Sequence, residues 1–297
     1  MKVLITGANG QLGTALQAVA PSKINDQYLI LTPVNKKVLD VSNAFAVEMF
    51  LNQEKPDVII NAAAFTLVDK AEAESALAHA VNAEAVKYIA EWCSKNKALF
   101  IQVSTDFVFD GKQARPYEPL DRVNPLNVYG ITKLKAEQYL FASNCRYHVI
   151  RTGWVYAEHG ANFVKTILRL ASEREQLSVV ADQIGTPTYA VHLAQMIWNI
   201  IERQPASTLW HFSDAGTASW YDFANAIVEE AAYLGLLTHI PKIKPIKTIE
   251  YPTPAMRPAF SVLDKALTWQ QLEIEPIHWR SALRKMLVTL NKLKTVA

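Results

Sequence analysis

The feature that most constrains the fold is a glycine-rich turn between an apolar strand pattern and a helical pattern. The strand pattern covers Val3–Thr6, and Gly7, Gly10 and Gly13 follow it in the string GANGQLG. Such a turn lets the backbone approach a pyrophosphate, and the helix N-terminus behind it attracts negative charge. The spacing is GxxGxxG rather than GxGxxG, and a tight turn without a ligand is the alternative. The position directly behind the first strand favours a nucleotide.

Short apolar runs alternate with longer helical patterns through the first half of the chain. The predicted strands are Val3–Thr6, Tyr28–Leu31, Val58–Asn61, Leu99–Ser104 and Tyr147–Arg151, and helical patterns cover about 11–20, 42–53, 71–95 and 127–143. Strands that are apolar on both faces are typical of parallel sheets covered by helices. The alternation predicts an α/β fold with a doubly wound parallel (Rossmann) sheet.

The second half of the chain changes character, with frequent prolines between Pro241 and Pro258. A short strand at Thr208–Phe212 is predicted to rejoin the main sheet, and helices are predicted at about 219–234 and 276–293. We therefore expect a dinucleotide-binding domain over 1–155 with a returning segment at about 185–212. A smaller, partly interleaved C-terminal domain, made of 156–184 and 213–297, is expected to bind the substrate.

Composition narrows the classes of function. The net charge of +2 gives no reason to expect nucleic acid or a membrane surface as partner. No apolar run approaches the roughly 20 residues of a membrane span. Cys93 and Cys145 form no CxxC, which fits a reducing compartment and predicts a cytoplasmic protein. The seven histidines form no HxxxH, so no zinc site is expected, and His79 and His192 are predicted to lie on helix surfaces.

A tyrosine and a lysine lie four residues apart in the string Tyr129-Gly-Ile-Thr-Lys133. Four residues are about one helical turn, so both side chains emerge on one face of the predicted helix. A free phenol, with a pKa of about 10, is a poor acid near neutrality, and a neighbouring ammonium stabilises its phenolate. The pair fits a general acid that protonates a carbonyl oxygen during hydride transfer. The alternative is an ordinary solvated helix face.

The tripeptide Ser104-Thr105-Asp106 follows the fourth predicted strand, and ligands bind at the carboxyl ends of such strands. A hydroxyl there can hydrogen-bond a substrate carbonyl, although the same residue types are frequent in turns. Tyr129 comes 24 residues after Thr105. A glycine turn, a strand-end hydroxyl and YxxxK, in that order, are more specific together than any one alone.

The second predicted strand indicates which nicotinamide cofactor is used. Its end, Leu31-Thr32-Pro33, carries no carboxylate to bind the adenosine ribose and repel a 2′-phosphate, and Lys36 and Lys37 follow. This favours NADPH. NADH stays open as the alternative, because Lys36 and Lys37 are explained equally well as ordinary solvated surface residues.

The order of these motifs resembles the extended short-chain dehydrogenase/reductase superfamily, and longer strings resemble its dTDP-4-dehydrorhamnose reductase family. The strings are GANGQLG at 7–13, NAAAFTLVDKAE at 61–72, VSTDFVFDG at 103–111, NPLNVYGITKLKAE at 124–137, RTGWVY at 151–156, DQIGTPT at 182–188 and RPAFSVLD at 257–264. They span nearly the whole chain. The resemblance implies NADPH-dependent reduction of the C4 ketone of dTDP-4-dehydro-β-L-rhamnose to dTDP-β-L-rhamnose, the last step of dTDP-L-rhamnose biosynthesis.

The resemblance also implies roles for individual residues. The cofactor-binding positions are Gly7, Gly10, Gln11, Leu12, Gly13, Asp40, Val41, Ala63, Ala64, Thr66, Tyr129 and Lys133. Tyr129 is implied to be the general acid, Lys133 to hold the nicotinamide ribose and tune Tyr129, and Thr105 to assist. The implied substrate-binding positions are Thr105, Asp106, Trp154, Asn162 and Arg257.

This chain departs from the family pattern at several positions. Phe65 stands where relatives often have histidine, Phe107 where they usually have tyrosine, and Gly153 where they usually have serine. None of these changes removes a catalytic group.

Some relatives are described as bridging a dimer through magnesium held by glutamates. The aligned positions here are Ala15, Val191 and Thr289, which carry no carboxylate, so no metal is predicted.

Two other functions stay open at this point. One is reduction of a related dTDP-4-keto-6-deoxy sugar to a different stereoisomer, which would use the same catalytic residues. The other is a non-catalytic regulatory subunit that resembles the β subunit of methionine adenosyltransferase. Trp154 and the string RPAFSVLD speak against the second function, because they resemble sugar-site sequences. A homodimer is compatible with the resemblance and is not determined by it.

Overall fold

The chain alternates strands and helices from its first residues, and the computed structural model describes residues 1–296. The strands, in chain order, are β1 Lys2–Thr6, β2 Lys23–Ile24, β3 Gln27–Tyr28, β4 Ile30–Val34, β5 Val58–Asn61, β6 Leu99–Thr105, β7 Arg146–Thr152, β8 Val155–Tyr156, β9 Gln176–Val180, β10 Ile184–Gly185, β11 Thr188–Tyr189, β12 Leu209–His211, β13 Ala218–Ser219 and β14 Lys242–Ile246. The α-helices are α1 Gln11–Ala18, α2 Ala44–Glu54, α3 Val68–Ala73, α4 Ser75–His79, α5 Ala85–Asn96, α6 Val128–Phe141, α7 Phe163–Glu173, α8 Ala190–Arg203, α9 Trp220–Tyr233, α10 Ala266–Leu272 and α11 Trp279–Val296.

Six parallel strands form the central sheet in the order β12-β7-β6-β5-β1-β4. This arrangement confirms the predicted doubly wound parallel sheet. The strand order reverses at β1, whose neighbours are β4 on one side and β5 on the other. A crevice forms at such a reversal, beyond the carboxyl ends of the strands, and ligands bind there in open α/β sheets.

The second strand of the sheet lies two residues later than the sequence pattern predicted. Tyr28 belongs to β3, which pairs with β2 in a small antiparallel hairpin. The hairpin turn is Asn25-Asp26, and both residues have positive φ angles, 47° and 63°. Such a turn matches the twist of the two hairpin strands. Tyr28 is therefore part of the hairpin, and the strand of the central sheet begins at Ile30. Pro33 is tolerated in β4 because β4 is an edge strand.

Helices cover both faces of the sheet and bury one apolar cluster on each. On one face, α1 and α8 pack over the sheet, and the indole Nε1 of Trp198 donates to the carbonyl of Leu16 at 3.1 Å. On the other face lie α2, α5 and α6. The predicted helix at 71–95 is present as α3, α4 and α5, with a single π-helical turn at Ala80–Glu84.

A separate apolar cluster lies among α7, α9 and α11, where Phe223 is fully buried. Strands β9 and β14 pair in parallel beside it. The segment that contains α8 and β12 returns to the central sheet, where β12 pairs with β7. The division into 1–155 with 185–212, and 156–184 with 213–297, stays a prediction. Within residues 1–296, no helix has the length and apolar character needed to cross a bilayer.

Candidate active site

A cavity of about 680 Å³ lies beyond the carboxyl ends of β1, β5, β6 and β7. Of the predicted site residues, it brings together Gly7, Gly10, Gln11, Leu12, Asp40, Val41, Ala63, Ala64, Thr66, Thr105, Asp106, Tyr129, Lys133, Trp154 and Arg257. Gly13 and Asn162 are not among the lining residues. The cavity therefore occupies the crevice that the strand order predicts.

The glycine turn forms the wall of this cavity nearest β1. Gly7 has a φ of +65°, and a Cβ there would lie 2.7 Å from backbone atoms of Ala62 and Ala63. Gly13 lets the first turn of α1 pack closely against Gly7, because a Cβ at position 13 would lie 2.3 Å from the carbonyl oxygen of Gly7. Gly10 caps α1 without any side-chain hydrogen bond. The first N–H groups of α1 thus stay available to an anion such as a pyrophosphate.

The far end of the cavity carries one lysine. Asn35 and Lys36 line it together with Asp40 and Val41, whereas Lys37 does not. Ser42 donates to Asp40 Oδ1 at 2.6 Å, and this bond holds the pKa of Asp40 below its usual value. Lys36 Nζ lies 4.0 Å from Asp40 Oδ2 and its side chain is largely exposed. An exposed lysine at this edge can meet a phosphate on the adenosine ribose.

The catalytic candidates lie where α6 faces the end of β6. Asn127 caps α6 by accepting from the N–H of Gly130 at 2.8 Å, which places Tyr129 and Lys133 in its first two turns. Lys133 Nζ donates to the carbonyl of Val103 at 2.5 Å. The Thr105 hydroxyl donates to Asp106 Oδ1 at 3.1 Å and also hydrogen-bonds Tyr129. The three predicted catalytic side chains therefore converge.

Burial controls the protonation of these groups. It raises the pKa of Tyr129 to about 12, an effect that the Thr105 hydrogen bond opposes. It lowers the pKa of Lys133 to about 8, and the charge of Glu137 acts in the other direction. At neutral pH Tyr129 carries its proton and Lys133 its charge. This is the state that a general acid for carbonyl reduction needs.

Asp106 lies buried beside Tyr129, and burial raises its pKa to about 6. The carboxyl group occupies space that a side chain at position 153 would fill. A Cβ on Gly153 would lie 2.5 Å from Asp106 Cγ and 2.6 Å from each carboxyl oxygen. Glycine at position 153 thus leaves room for this carboxyl.

A pair of stacked indoles lines another part of the cavity. Trp154 and Trp220 both line it, with ring centroids 3.4 Å apart and planes inclined by 2°. Trp154 has a φ of +52°, and Gly185 gives it room, because a Cβ there would lie 2.5 Å from the Trp154 ring. Flat apolar rings suit the axial hydrogens and methyl group of a deoxysugar.

Arg257 lines the cavity, but an acidic partner holds its guanidinium. Nη2 donates to Asp69 Oδ2 at 2.7 Å and Nη1 to Asp69 Oδ1 at 3.0 Å. Asp69 lies in the first turn of α3, just after the segment of Thr66, whereas Arg257 comes from the proline-rich loop. The fork-like pair joins the cofactor side of the cavity to the substrate side. It leaves only part of the donor capacity of Arg257 for a bound phosphate.

Asn162 has a different setting from the one that the family resemblance implies. Its Oδ1 caps α7 by accepting from the N–H of Lys165, and its Nδ2 donates to Gln11 Oε1 at 2.9 Å and Ala157 O at 2.7 Å. The side chain braces the cofactor turn rather than facing the cavity. Its role in substrate binding stays a prediction that these contacts do not support.

Trp220 and Thr152 are two of the cavity-lining residues that were not predicted from the sequence. Trp220 is one of seven tryptophans in the chain, and no local pattern reveals that it stacks on Trp154. Thr152 pairs with Thr105 in the β6–β7 register and also lines the cavity. Its hydroxyl is buried and has no hydrogen-bond partner within the described chain. Its position at the carboxyl end of β7, parallel to Thr105, is the signal that would have identified it.

Comparison with known proteins decides the family. The family model described as the RmlD substrate binding domain matches residues 1–292. The dTDP-4-dehydrorhamnose reductase of Aggregatibacter actinomycetemcomitans is 41% identical over 290 residues, covering 96% of this chain and 98% of that relative. The chain belongs to the dTDP-4-dehydrorhamnose reductase family.

Solved structures of this reductase family share the fold. The crystal structure of a dTDP-4-dehydrorhamnose reductase from Clostridium acetobutylicum has a TM-score of 0.90 and 38% identity, covering 98% of this chain and 100% of that chain. The enzyme from Bacillus anthracis, solved in complex with NADP, has a TM-score of 0.88 and 35% identity, covering 97% and 99% of the two chains.

Ala15, Val191 and Thr289, the positions that the resemblance aligned with magnesium ligands, carry no carboxylate. Over residues 1–296, no group of three or more histidine, cysteine, aspartate or glutamate side chains is placed to hold a metal ion. The absence of a metal stays a prediction.

Proposed function

We propose that the chain is an NADPH-dependent oxidoreductase that reduces the C4 ketone of dTDP-4-dehydro-β-L-rhamnose to dTDP-β-L-rhamnose. This is the last step of dTDP-L-rhamnose biosynthesis. The observation that carries the proposal is the convergence of Thr105, Tyr129 and Lys133 on one cavity, in a chain of the dTDP-4-dehydrorhamnose reductase family. NADPH, when bound, supplies the hydride.

The residues that would hold the cofactor fit a dinucleotide. Gly7, Gly10 and the N–H groups of Gln11 and Leu12 leave a cradle at the N-terminus of α1, where the helix dipole favours a pyrophosphate. Lys36 is the cation placed to favour a 2′-phosphate. NADPH is therefore expected to bind more tightly than NADH.

The protein's own side chains supply the proton that the C4 oxygen of the substrate receives. Tyr129 holds its proton at neutral pH and donates it to the C4 oxygen as that oxygen gains charge. To stabilise the phenolate that remains, the Thr105 hydroxyl, which donates to Asp106, would turn its proton toward Tyr129. The Lys133 ammonium, fixed on the carbonyl of Val103, adds a positive charge nearby. Positioning of these groups in a buried cavity supplies much of the rate.

The deoxysugar is expected to lie against Trp154 and Trp220, with Asp106 and the free hydroxyl of Thr152 as hydrogen-bonding partners. Arg257 lines the same cavity, and we infer that the substrate diphosphate draws on its remaining N–H groups. We also propose that the reaction takes place in the cytoplasm, consistent with the buried free thiols of Cys93 and Cys145. A homodimer stays a prediction.

The decisive experiment measures NADPH oxidation on addition of the keto-sugar, with product identification by NMR. The expected product is dTDP-β-L-rhamnose, and Tyr129→Phe should lower kcat by roughly 10²- to 10⁴-fold, the usual share of a general acid. NADPH binding should be retained, because the aromatic ring stays in place.

Tyr139→Phe is the matched control. Tyr139 lies on the same helix, and its hydroxyl donates to Glu84 at 2.7 Å, away from the cavity. Its kcat should equal that of the wild type. Undiminished turnover by Tyr129→Phe would refute the assigned acid, and a product with the other configuration at C4 would indicate a related sugar reductase. No turnover with retained NADPH binding would favour a regulatory subunit.

A further inference from the structure

A buried ion pair lies directly beneath the candidate active site. Glu137 is fully buried and Arg151 is 2% exposed. Arg151 Nη2 donates to Glu137 Oε2 at 2.7 Å, and its Nε donates to Oε1 at 3.0 Å. The remaining Arg151 nitrogen, Nη1, donates to the carbonyl of Pro119 at 2.9 Å. Both charges are thus satisfied without water.

Glu137 also binds the strand that carries Thr105. The hydroxyl of Ser104 donates to Glu137 Oε1 at 2.5 Å, and Ser104 directly precedes Thr105. Arg151 is the register partner of Ser104 on β7, so the ion pair joins β6, β7 and α6 at one point. Two residues before Thr105, Val103 holds Lys133. The end of β6 is therefore fixed to α6 through both Val103 and Ser104.

The spacing along α6 places three functional groups on one face. Tyr129, Lys133 and Glu137 follow one another at intervals of four residues, about one turn each. All three contact the last residues of β6. Buried ion pairs add little net stability over apolar residues of the same size, because both ions lose their hydration. Folding alone therefore gives little reason for a charge at this position.

We propose that Glu137 is a positioning residue for the reduction: it locks the Ser104–Thr105 strand end against α6 and keeps a negative charge one turn from Lys133. This inference rests on the proposed reductase activity. Glu137 is not expected to touch substrate or cofactor, since it does not line the cavity. It acts through Thr105 and Lys133.

Among the charged groups around α6, Glu137 is the one that controls the pKa of Lys133. Burial lowers the pKa of Lys133, and the negative charge of Glu137 is what raises it again. Arg151 neutralises part of that charge, and His211 contacts Arg151 from β12. The other ionisable groups on elements packed against α6 are Asp106 beside Tyr129, Asp69, Lys70 and Glu72 on α3, His79 on α4, Glu84 on the π-helical turn, and Lys87, Tyr88, Glu91, Cys93 and Lys95 on α5.

The test is Glu137→Gln, which keeps the shape of the side chain and removes its charge. Arg151 then becomes an uncompensated cation near Lys133, which should lower the pKa of Lys133. The alkaline limb of the kcat/KM profile should therefore move to lower pH by about one unit. The pH at which NADPH binding weakens should fall by a similar amount. We expect kcat at neutral pH to fall about tenfold, because the strand end that carries Thr105 loosens.

Ser104→Ala separates the two effects, because it breaks the link to β6 and leaves the ion pair intact. It should lower kcat without moving the alkaline limb, and it also serves if Glu137→Gln does not fold. Glu230→Gln is the matched control. Glu230 is 3% exposed and bound by Arg280 and Arg284, far from the cavity. It should lose stability and keep the wild-type pH profile.

Three outcomes would overturn the inference. One is a Glu137→Gln enzyme whose kcat and alkaline limb match the wild type. Another is Glu230→Gln shifting the limb equally. The third, which applies if Glu137→Gln does not fold, is Ser104→Ala with wild-type kcat. Failure of the wild type to reduce the keto-sugar would instead refute the proposed function, and the pH dependence of NADPH binding would still test Glu137.

Discussion

At the scale of single residues, the site depends on side chains that are small enough to admit their neighbours. Gly153 is the clearest case, because the Asp106 carboxyl occupies the volume next to its Cα. The family resemblance implies a serine there, whereas the glycine leaves the space that the Asp106 carboxyl occupies. The residue departs from the motif, and its consequence appears only when β6 and β7 lie side by side.

Gly153→Ala tests this seating. The added methyl group would press on the Asp106 carboxyl, and overpacking of this kind typically costs about 1–3 kcal/mol. We expect the KM for the keto-sugar to rise about tenfold, while the Kd of NADPH measured by fluorescence stays unchanged. Gly235→Ala is the control. Gly235 has a φ of +70°, and a Cβ there would meet no atom within 4 Å, so this change should lower stability without changing KM.

At the scale of elements, α6 matters most, because it carries Tyr129 and Lys133 and begins at a doubly bonded cap. Asn127 accepts from the N–H of Gly130 and donates to the carbonyl of Met256 at 2.7 Å. One side chain thus starts the catalytic helix and holds the proline-rich loop. The helical pattern at 127–143 predicted this helix from the sequence, whereas the bond to Met256 spans 129 residues.

Asn127→Ala should therefore affect both stability and substrate binding. Loss of the cap is expected to cost about 1 kcal/mol, and release of the Met256 loop should raise the KM for the keto-sugar several-fold. Urea unfolding and steady-state kinetics measure the two effects. Asn43→Ala, which removes the cap of α2 outside the cavity, should show a similar loss of stability with unchanged KM. Equal KM values for the two variants would contradict the link to the loop.

At the scale of the whole molecule, buried polar groups join distant segments across the sheet. His211 on β12 is fully buried, with Nδ1 2.9 Å from the carbonyl of Tyr117 and Nε2 3.4 Å from Arg151 Nη1. A neutral ring satisfies both contacts, with Nδ1–H donating and Nε2 accepting. Burial and the neighbouring Arg151 charge lower the pKa of His211 to about 3.

His211 should make the fold sensitive to acid. Its native pKa is below the value of about 6.5 in the unfolded chain, so its contribution is intact above pH 6.5 and is lost as the pH falls toward 3. Between pH 7 and pH 5 the loss is about 2 kcal/mol. Urea unfolding at both pH values should show this difference reduced in His211→Gln. The comparison removes the contributions of other groups, including Asp106, whose raised pKa acts in the opposite direction.

The sequence by itself determined the doubly wound sheet and the glycine turn, and it predicted that Thr105, Tyr129 and Lys133 would share one site. These features follow from apolar periodicity and short spacings, which act within a few residues along the chain. The tertiary structure decided what depends on contacts between distant segments. It buried His192 against Asp214 at 2.7 Å, where a helix-surface position was predicted wrongly, because α8 is covered on more than one side. It also stacked Trp220 on Trp154, paired Arg257 with Asp69, and paired Glu137 with Arg151 beneath the site. No local pattern encodes these pairs, since each forms only when strands and helices far apart in sequence pack together.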